Sequence, residues 1–331
     1  MKVAVFSAKE YDKSFLCQEA SGTDVQFTFF DTTLNKKTVS LAEGYDAVNC
    51  FVNDTLDAEV LRQLKTYNVS HASLRCAGFN NVELHAAKKL GITVTRVPAY
   101  SPESVAEHTF ALLLSLNRKI HKAYNRVKEN NFTLQGLMGF NLHGKTVGVI
   151  GTGKIGKAVI RICQGFGCNV LCYDPYPCST LQQQNVEYVE LDTLFTHSDI
   201  ISLHCPLTTE TQHLINQESI AKMKDSAVLI NTSRGGLVDT KAIIAALKTK
   251  KIGGLALDVY EMESELFFQD LSCEIIQDDV FQRLLTFPNV VITGHQGFFT
   301  QEALKEIAQT TLNNLINYPQ GKLQPDNIVQ L

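Results

Sequence analysis

The sequence predicts an α/β protein built on parallel sheets, and three observations predict it. Strand-like and helix-like segments alternate through the first hundred residues. A second alternating set begins at Lys145, and its first strand runs directly into a glycine-rich turn, Gly151-Thr-Gly-Lys-Ile-Gly156, that opens a helix. Parallel strands need long crossover connections, which the intervening helical segments supply.

Taken in order, residues 2–6, 26–30 and 47–51 read as strands, and 57–66 and 83–90 as helices. Ser101-Pro102-Glu103 marks a helix start with proline in the first turn, and periodicity predicts a long helical run over 105–128. Residues 130–144, rich in Asn and Gly, read as a loop. The second set has strand candidates at 146–150, 169–173, 199–203, 227–231, 254–257 and 290–292. The chain ends in a helix-like segment over 301–316 and a short tail, too small for a third domain and expected to pack on the first. With 331 residues, there is room for two ordinary domains.

Composition narrows the function classes. Hydrophobic residues make up 44% and charged residues 19%, as in folded globular proteins. A formal charge of -4 offers no basic field for nucleic acid, so an anionic substrate would need a local arginine. The nine cysteines are scattered without a CxxC pair or zinc spacing, which predicts free thiols, no metal and a reducing compartment. No signal peptide or membrane span is read, since residues 1–7 already look like a strand and the apolar run 110–116 is short. A cytoplasmic location is the expectation.

The glycine turn predicts a dinucleotide site. Of Gly151, Gly153 and Gly156, one glycine makes a tight turn, one lets backbone approach a pyrophosphate and one lets helix pack on strand. The phosphates would sit at the helix N-terminus. The next strand ends in Asp174, 18 residues beyond Gly156, where a carboxylate can meet ribose hydroxyls. Asp174 can equally initiate a turn before Pro175.

Four charged positions follow later strand candidates, where an open parallel sheet places its ligand crevice. Arg234 follows 228–233, Asp258 and Glu263 follow 254–257, and His295 follows 290–294. Singly, each has an ordinary reading: a turn arginine, a cap, a solvated acidic face, a core histidine. Together they suit hydride transfer to a 2-oxo acid. An arginine can hold the carboxylate and polarise the neighbouring carbonyl, a histidine can deliver the proton, and a carboxylate can orient its ring.

Several ordered blocks carry a family resemblance: 147–156, His204-Cys-Pro-Leu207, Asn231-Thr-Ser-Arg-Gly-Gly-Leu-Val-Asp239, Leu257-Asp-Val-Tyr-Glu-Met-Glu263 and Thr293-Gly-His-Gln296. Over nearly its whole length the chain resembles the D-isomer-specific 2-hydroxyacid dehydrogenases. The resemblance implies two doubly wound parallel-sheet domains. One is a discontinuous flavodoxin-like substrate domain (1–100 plus 298–331); the other is a Rossmann NAD domain (101–297). It implies Arg234, Glu263 and His295 as the catalytic trio, with His295 the proton donor. It also implies Lys154, Ile155, Asp174, Cys205, Pro206, Thr232, Ser233 and Asp258 around NAD. On the substrate side, Arg75-Cys-Ala-Gly-Phe-Asn-Asn81 and Val97-Pro-Ala-Tyr-Ser-Pro-Glu103 are similar to family segments in which Gly78, Phe79 and Tyr100 would meet the substrate. Residues 105–128 resemble the dimer-forming helix, so a homo-oligomer, dimer or tetramer, is implied.

Glu263 and His295 are 32 positions apart, and the stretch between them includes Leu266-Phe-Phe-Gln-Asp270 and Ile275-Ile-Gln-Asp-Asp-Val-Phe281. That insertion resembles the bacterial fermentative D-lactate dehydrogenases and makes pyruvate and D-lactate the expected substrate pair, with NAD the coenzyme. Two alternatives stay open: a larger 2-oxo acid, decided by the placement of Tyr100, Phe298 and Phe299, and a dinucleotide-sensing corepressor.

Overall fold

A computed structural model describes residues 1–182 and 186–330. The chain divides into two compact units, 1–101 with 298–331, and 102–297.

In the first unit, strands β1 (Lys2–Val5), β2 (Gln26–Phe29), β3 (Ala47–Cys50), β4 (His71–Leu74) and β5 (Thr93–Thr95) form one sheet in the order β2-β1-β3-β4-β5, every pair parallel. This is the doubly wound 2-1-3-4-5 order. Helices α1 (Glu10–Ala20), α2 (Ala58–Thr66) and α3 (Leu84–Leu90) lie between strands. Asp57 starts α2 by accepting from the backbone N–H groups of Glu59 and Val60 at 3.0 and 2.9 Å, a cap contributing about 1 kcal/mol. The C-terminal helix Gln301–Asn317 returns to this unit. Its Ala308 and Leu315 pack with Val3, Val5 and Leu16.

Three elements absent from the sequence reading appear here, each for want of a pattern. Helix α1 buries only Asp12 and Leu16, so it has no apolar stripe. Strand β4 is buried throughout, yet two of its four residues are His71 and Ser73, and β5 is three residues long.

His71 is completely buried. Its Nε2 lies 2.9 Å from Thr95 Oγ1, and its ring stacks on Tyr318 at 4.3 Å. Burial pushes its pKa down to about 3. The unfolded chain therefore binds a proton that the folded chain does not, and stability falls as pH drops from about 6.5 towards 3, by about 1.4 kcal/mol per pH unit. His71→Phe keeps the ring against Tyr318. Its unfolding free energy, followed by urea titration from pH 7 to pH 5, should show a pH slope smaller by one proton than the wild type's. An unchanged slope would contradict this.

In the second unit, β6 (Thr146–Ile150), β7 (Asn169–Tyr173), β8 (Glu187–Tyr188), β9 (Ile200–Leu203), β10 (Ala227–Asn231), β11 (Ile252–Leu257) and β12 (Val290–Ile292) form a parallel sheet in the order β12-β11-β10-β9-β6-β7-β8. The strand order reverses between β6 and β9, and such a switch point is where open α/β sheets bind ligands. The central strands β6, β9 and β10 and most of β11 are buried on both faces. Val147, Val149 and Ile200 enter one core, and Ile150, Ile201 and Leu203 the other. Each fully buried Val, Leu or Ile contributes roughly 1.5–3 kcal/mol.

The long helix expected over 105–128 is two helices, α4 (Pro102–Arg118) and α5 (Ile120–Lys128), broken at Lys119 in the left-handed region with φ 51°. The turn is tethered from outside the helix. Asn117 exchanges two hydrogen bonds with the Phe140 backbone at 2.7 and 2.8 Å, and Lys119 Nζ donates to the carbonyls of Gly136 and Met138. Helix α6 (Lys154–Gly165) follows the glycine turn. Among the described residues no helix is long and apolar enough to cross a membrane, and no cluster of His, Cys, Asp and Glu could hold a metal ion.

Candidate active site

The sequence-predicted residues of the second unit all lie at the C-terminal ends of its parallel strands. Gly151, after β6, has φ +95°, and a Cβ there would stand 2.6 Å from the backbone of His204 and Cys205. At Gly156 a Cβ would meet the Gly151 carbonyl oxygen at 2.0 Å. The fold itself therefore requires these two glycines. Gly153 differs, because a Cβ there would meet no protein atom within 4 Å. It caps the N-terminus of α6, followed by Lys154 and Ile155, and the open space above it faces the unpaired N–H groups of a helix start. A pyrophosphate fits such a cradle.

Asp174, at the end of β7, accepts on Oδ2 from Thr152 N and Thr152 Oγ1 at 2.7 and 3.0 Å, and on Oδ1 from Tyr176 N at 2.9 Å. The turn role and the place beside the glycine loop thus coexist. After β9, Cys205 is buried, and burial pushes its thiol up to about 11, so it is no thiolate nucleophile at neutral pH. Ser233 Oγ donates to the Cys205 carbonyl at 2.7 Å, joining the segment Cys205-Pro206 to the end of β10. Thr232 is buried against Thr109, with their hydroxyls 2.9 Å apart.

Arg234 is held through its backbone, since its carbonyl accepts from Asn231 Nδ2 at 2.8 Å. One guanidinium nitrogen, Nη1, donates to Ser233 O at 2.7 Å, and among the described residues the guanidinium has no other protein acceptor. Next to it a Cβ on Gly235 would collide with the Tyr260 carbonyl group at 2.1 Å. That close approach binds the Arg234 turn to the loop that carries Glu263.

His295 also has φ 51°, an unusual backbone for a residue other than glycine. Its surroundings impose it. His295 N donates to the Asp258 carbonyl at 2.7 Å, and the Asp258 carboxylate accepts from Gln296 N, Gly297 N and Thr293 Oγ1 at 2.9, 2.8 and 2.5 Å. His108 Nε2 lies 3.2 Å from the same carboxylate. Burial alone would raise the Asp258 pKa, but the bonds from His108, Thr293 and Gln296 outweigh it and hold the group below the ordinary carboxylate value. Asp258 therefore works as a buried anchor for the histidine loop. In that loop, His295 Nδ1 meets Glu263 Oε1 at 2.9 Å, while Glu263 Oε2 accepts from Tyr260 N at 3.0 Å. Among the described residues the ring's Nε2 has no hydrogen-bond partner.

The insertion between Glu263 and His295 has a structural purpose. Phe268 lies 5.8 Å from the His295 ring, and Phe267 and Tyr260 pack on Phe281 at 6.1 and 5.1 Å. His108, Thr293, Thr152 and Phe268 escaped sequence reasoning. His108 sits inside a helix far from the loop it supports, and Phe268 lay in a segment read only as an insertion.

In the first unit, Arg96 stacks over the Phe79 ring at 5.1 Å and donates to the Ala77 carbonyl. Cys76 Sγ lies 3.3 Å from the Gly78 carbonyl. Tyr100 lies 6.4 Å from Phe298, which adjoins Phe51 and Phe299 at 6.3 and 6.0 Å.

A parallel sheet with a glycine-turn cradle at its switch point, and a histidine paired with a carboxylate beyond its strand ends, are features of a nicotinamide-dinucleotide oxidoreductase. Residues 110–297 match the model of the D-isomer specific 2-hydroxyacid dehydrogenase, NAD binding domain. The chain belongs to that family. It is similar to the D-lactate dehydrogenase of Escherichia coli (strain K12), 53% identical over 99% of this chain and 100% of that one. Among solved structures it is similar to the apo-structure of D-lactate dehydrogenase from Escherichia coli, at 51% identity and a TM-score of 0.91 over 100% of each chain. It is also similar to the pyruvate reductase of Chlamydomonas reinhardtii, at 44% identity and a TM-score of 0.93 over 98% of each chain.

Proposed function

We propose that the protein reduces pyruvate to D-lactate with NADH, reversibly, in the cytoplasm. The observation that carries the chemistry is the pair His295 and Glu263 at 2.9 Å, joined by backbone packing to the Arg234 turn. The choice of pyruvate rests on the full-length relatives named for D-lactate and pyruvate. NADH, when bound, supplies the hydride that forms the new C–H bond at C2 of pyruvate. The chain does the rest. Arg234 holds the carboxylate and offers N–H groups to the carbonyl oxygen as charge grows there. His295 gives its Nε2 proton to that oxygen, and Glu263 orients the ring. In the reverse direction neutral His295 takes the proton back.

Gly151, Gly153, Lys154, Ile155 and Gly156 are assigned to the pyrophosphate turn, Asp174 to the adenosine ribose, and Cys205, Pro206, Thr232, Ser233 and Asp258 to the surroundings of the nicotinamide half. The first unit is assigned the substrate side, through Gly78, Phe79 and Tyr100. A homo-oligomer is supported by Ile120, Tyr124 and Val127, which form an exposed apolar stripe along one face of α5. Steady-state rates with pyruvate and with branched-chain 2-oxo acids test the assignment. Pyruvate should give the highest kcat/KM, and a larger 2-oxo acid in first place would displace it.

Coenzyme preference should follow Asp174, whose carboxylate suits ribose hydroxyls and repels a 2′-phosphate. Pro175 to Cys178 include no arginine to neutralise one. NADH should exceed NADPH in kcat/KM by tenfold or more, a margin of about 1.4 kcal/mol or greater. Comparable values would remove the ribose assignment.

A further inference from the structure

Behind Asp174 runs a chain of hydrogen bonds whose direction is settled by its ends. The Cys178 backbone N–H can only donate, and it does so to Tyr188 Oη at 3.0 Å. Tyr188 therefore turns its own proton towards Thr152 Oγ1, 2.9 Å away. Thr152 in turn gives its hydroxyl proton to Asp174 Oδ2 at 3.0 Å, where the carboxylate can only accept. The Thr152 backbone N–H reaches the same oxygen at 2.7 Å. Tyr176 N occupies one side of Oδ1. A carboxylate has about four acceptor positions, so three of these donors leave roughly one, on Oδ1. Thr152 is 3% exposed, so no water replaces its hydroxyl freely. Tyr188 lies on β8, paired with Cys172 on β7, and that pairing sets the phenol beside the loop that follows Asp174.

We infer that Tyr188 and Thr152 are positioning residues for coenzyme discrimination: their relay fixes which Asp174 oxygen, and which of its faces, is presented to the ribose. This rests on reading Asp174 as the ribose-facing carboxylate. The relay connects the two segments that flank an adenosine ribose in such a fold, the glycine turn through Thr152 and the post-β7 loop through Cys178. Loss of one hydroxyl frees Asp174 to rotate and leaves Cys178 N without that acceptor. Lost hydrogen bonds of this kind correspond to a few-fold to tenfold change in an equilibrium constant.

The test compares Tyr188→Phe, Thr152→Val, Thr152→Ser and Asp174→Asn with the wild type. The readouts are KM and kcat with NADH and with NADPH, NADH dissociation constants by fluorescence, and thermal midpoints. Tyr188→Phe should raise KM and Kd for NADH about fivefold, with kcat at saturating NADH changed less than twofold, and should narrow the NADH to NADPH ratio by a similar factor. Thr152→Val should do at least as much, and Thr152→Ser, which keeps the hydroxyl, should return towards wild type. A lowered thermal midpoint with unchanged KM for NADH in Tyr188→Phe would mean a merely structural tyrosine and would overturn the inference. If Thr152→Val does not fold, Tyr188→Phe decides alone. Should Asp174→Asn weaken NADH while Tyr188→Phe does not, the relay falls and the ribose reading stands. Should Asp174→Asn leave both coenzymes unaffected, the two fall together.

Discussion

Arg234→Lys is expected to lose on the order of a hundredfold or more in kcat/KM for pyruvate, the range of a lost oxyanion donor. Lysine keeps the positive charge but not the planar fork, so it cannot hold two carboxylate oxygens and point a further N–H at the carbonyl. The structure sharpens the expectation. The Arg234 guanidinium already gives one hydrogen bond to Ser233 O, which aims its remaining coplanar N–H groups, and a lysine ammonium making the same bond would present no such planar pair. Because Arg234 is tied to the fold through its backbone and through Asn231, the variant should fold and bind NADH nearly as the wild type does. Steady-state kinetics with an NADH fluorescence titration are the check. A folded variant with near-normal kcat/KM would take Arg234 out of the transition state.

Glu263→Gln is expected to lower kcat/KM for pyruvate by at least tenfold, the scale of a disturbed general acid–base group. Pyruvate reduction needs His295 protonated, and D-lactate oxidation needs it neutral. A carboxylate 2.9 Å from Nδ1 orients the ring; glutamine keeps the size and removes the charge, so the ring loses that fixed partner in both directions. Folding should be little affected, because the glutamine carbonyl can still accept from Tyr260 N. Steady-state rates in both directions at saturating coenzyme decide the matter. Near-normal kcat/KM in the folded variant would leave Glu263 as part of an acidic face and require another partner for His295.

The cofactor half of the site was legible because its chemistry is local. A tight turn, a close backbone approach and a helix start are all written within Gly151 to Gly156, and Asp174 follows at a spacing set by one crossover helix. Strands β6, β9 and β10 were legible because burial on both faces demands unbroken apolar runs. Where pattern was lacking, reading failed. Helix α1 carries almost no apolar face, β4 buries a histidine and a serine, and the break at Lys119 depends on a loop some twenty residues downstream.

By itself the sequence determined the class of fold and the dinucleotide turn, which are local properties, and its family resemblance singled out Arg234, Glu263 and His295, which stand three to six residues after strands. Only the tertiary structure decided how they are placed. His295 and Glu263 meet because β11 and β12 are parallel neighbours and both feed loops to the same sheet edge. Asp258 proves to be the buried anchor of the histidine loop, with His108 from α4 against it, and Tyr188 reaches Asp174 only through Thr152. These are contacts between side chains distant in sequence, and their hydrogen bonds exist only within a few tenths of an ångström of the right distance. That precision comes from the packing of the whole sheet, which no short stretch of sequence encodes.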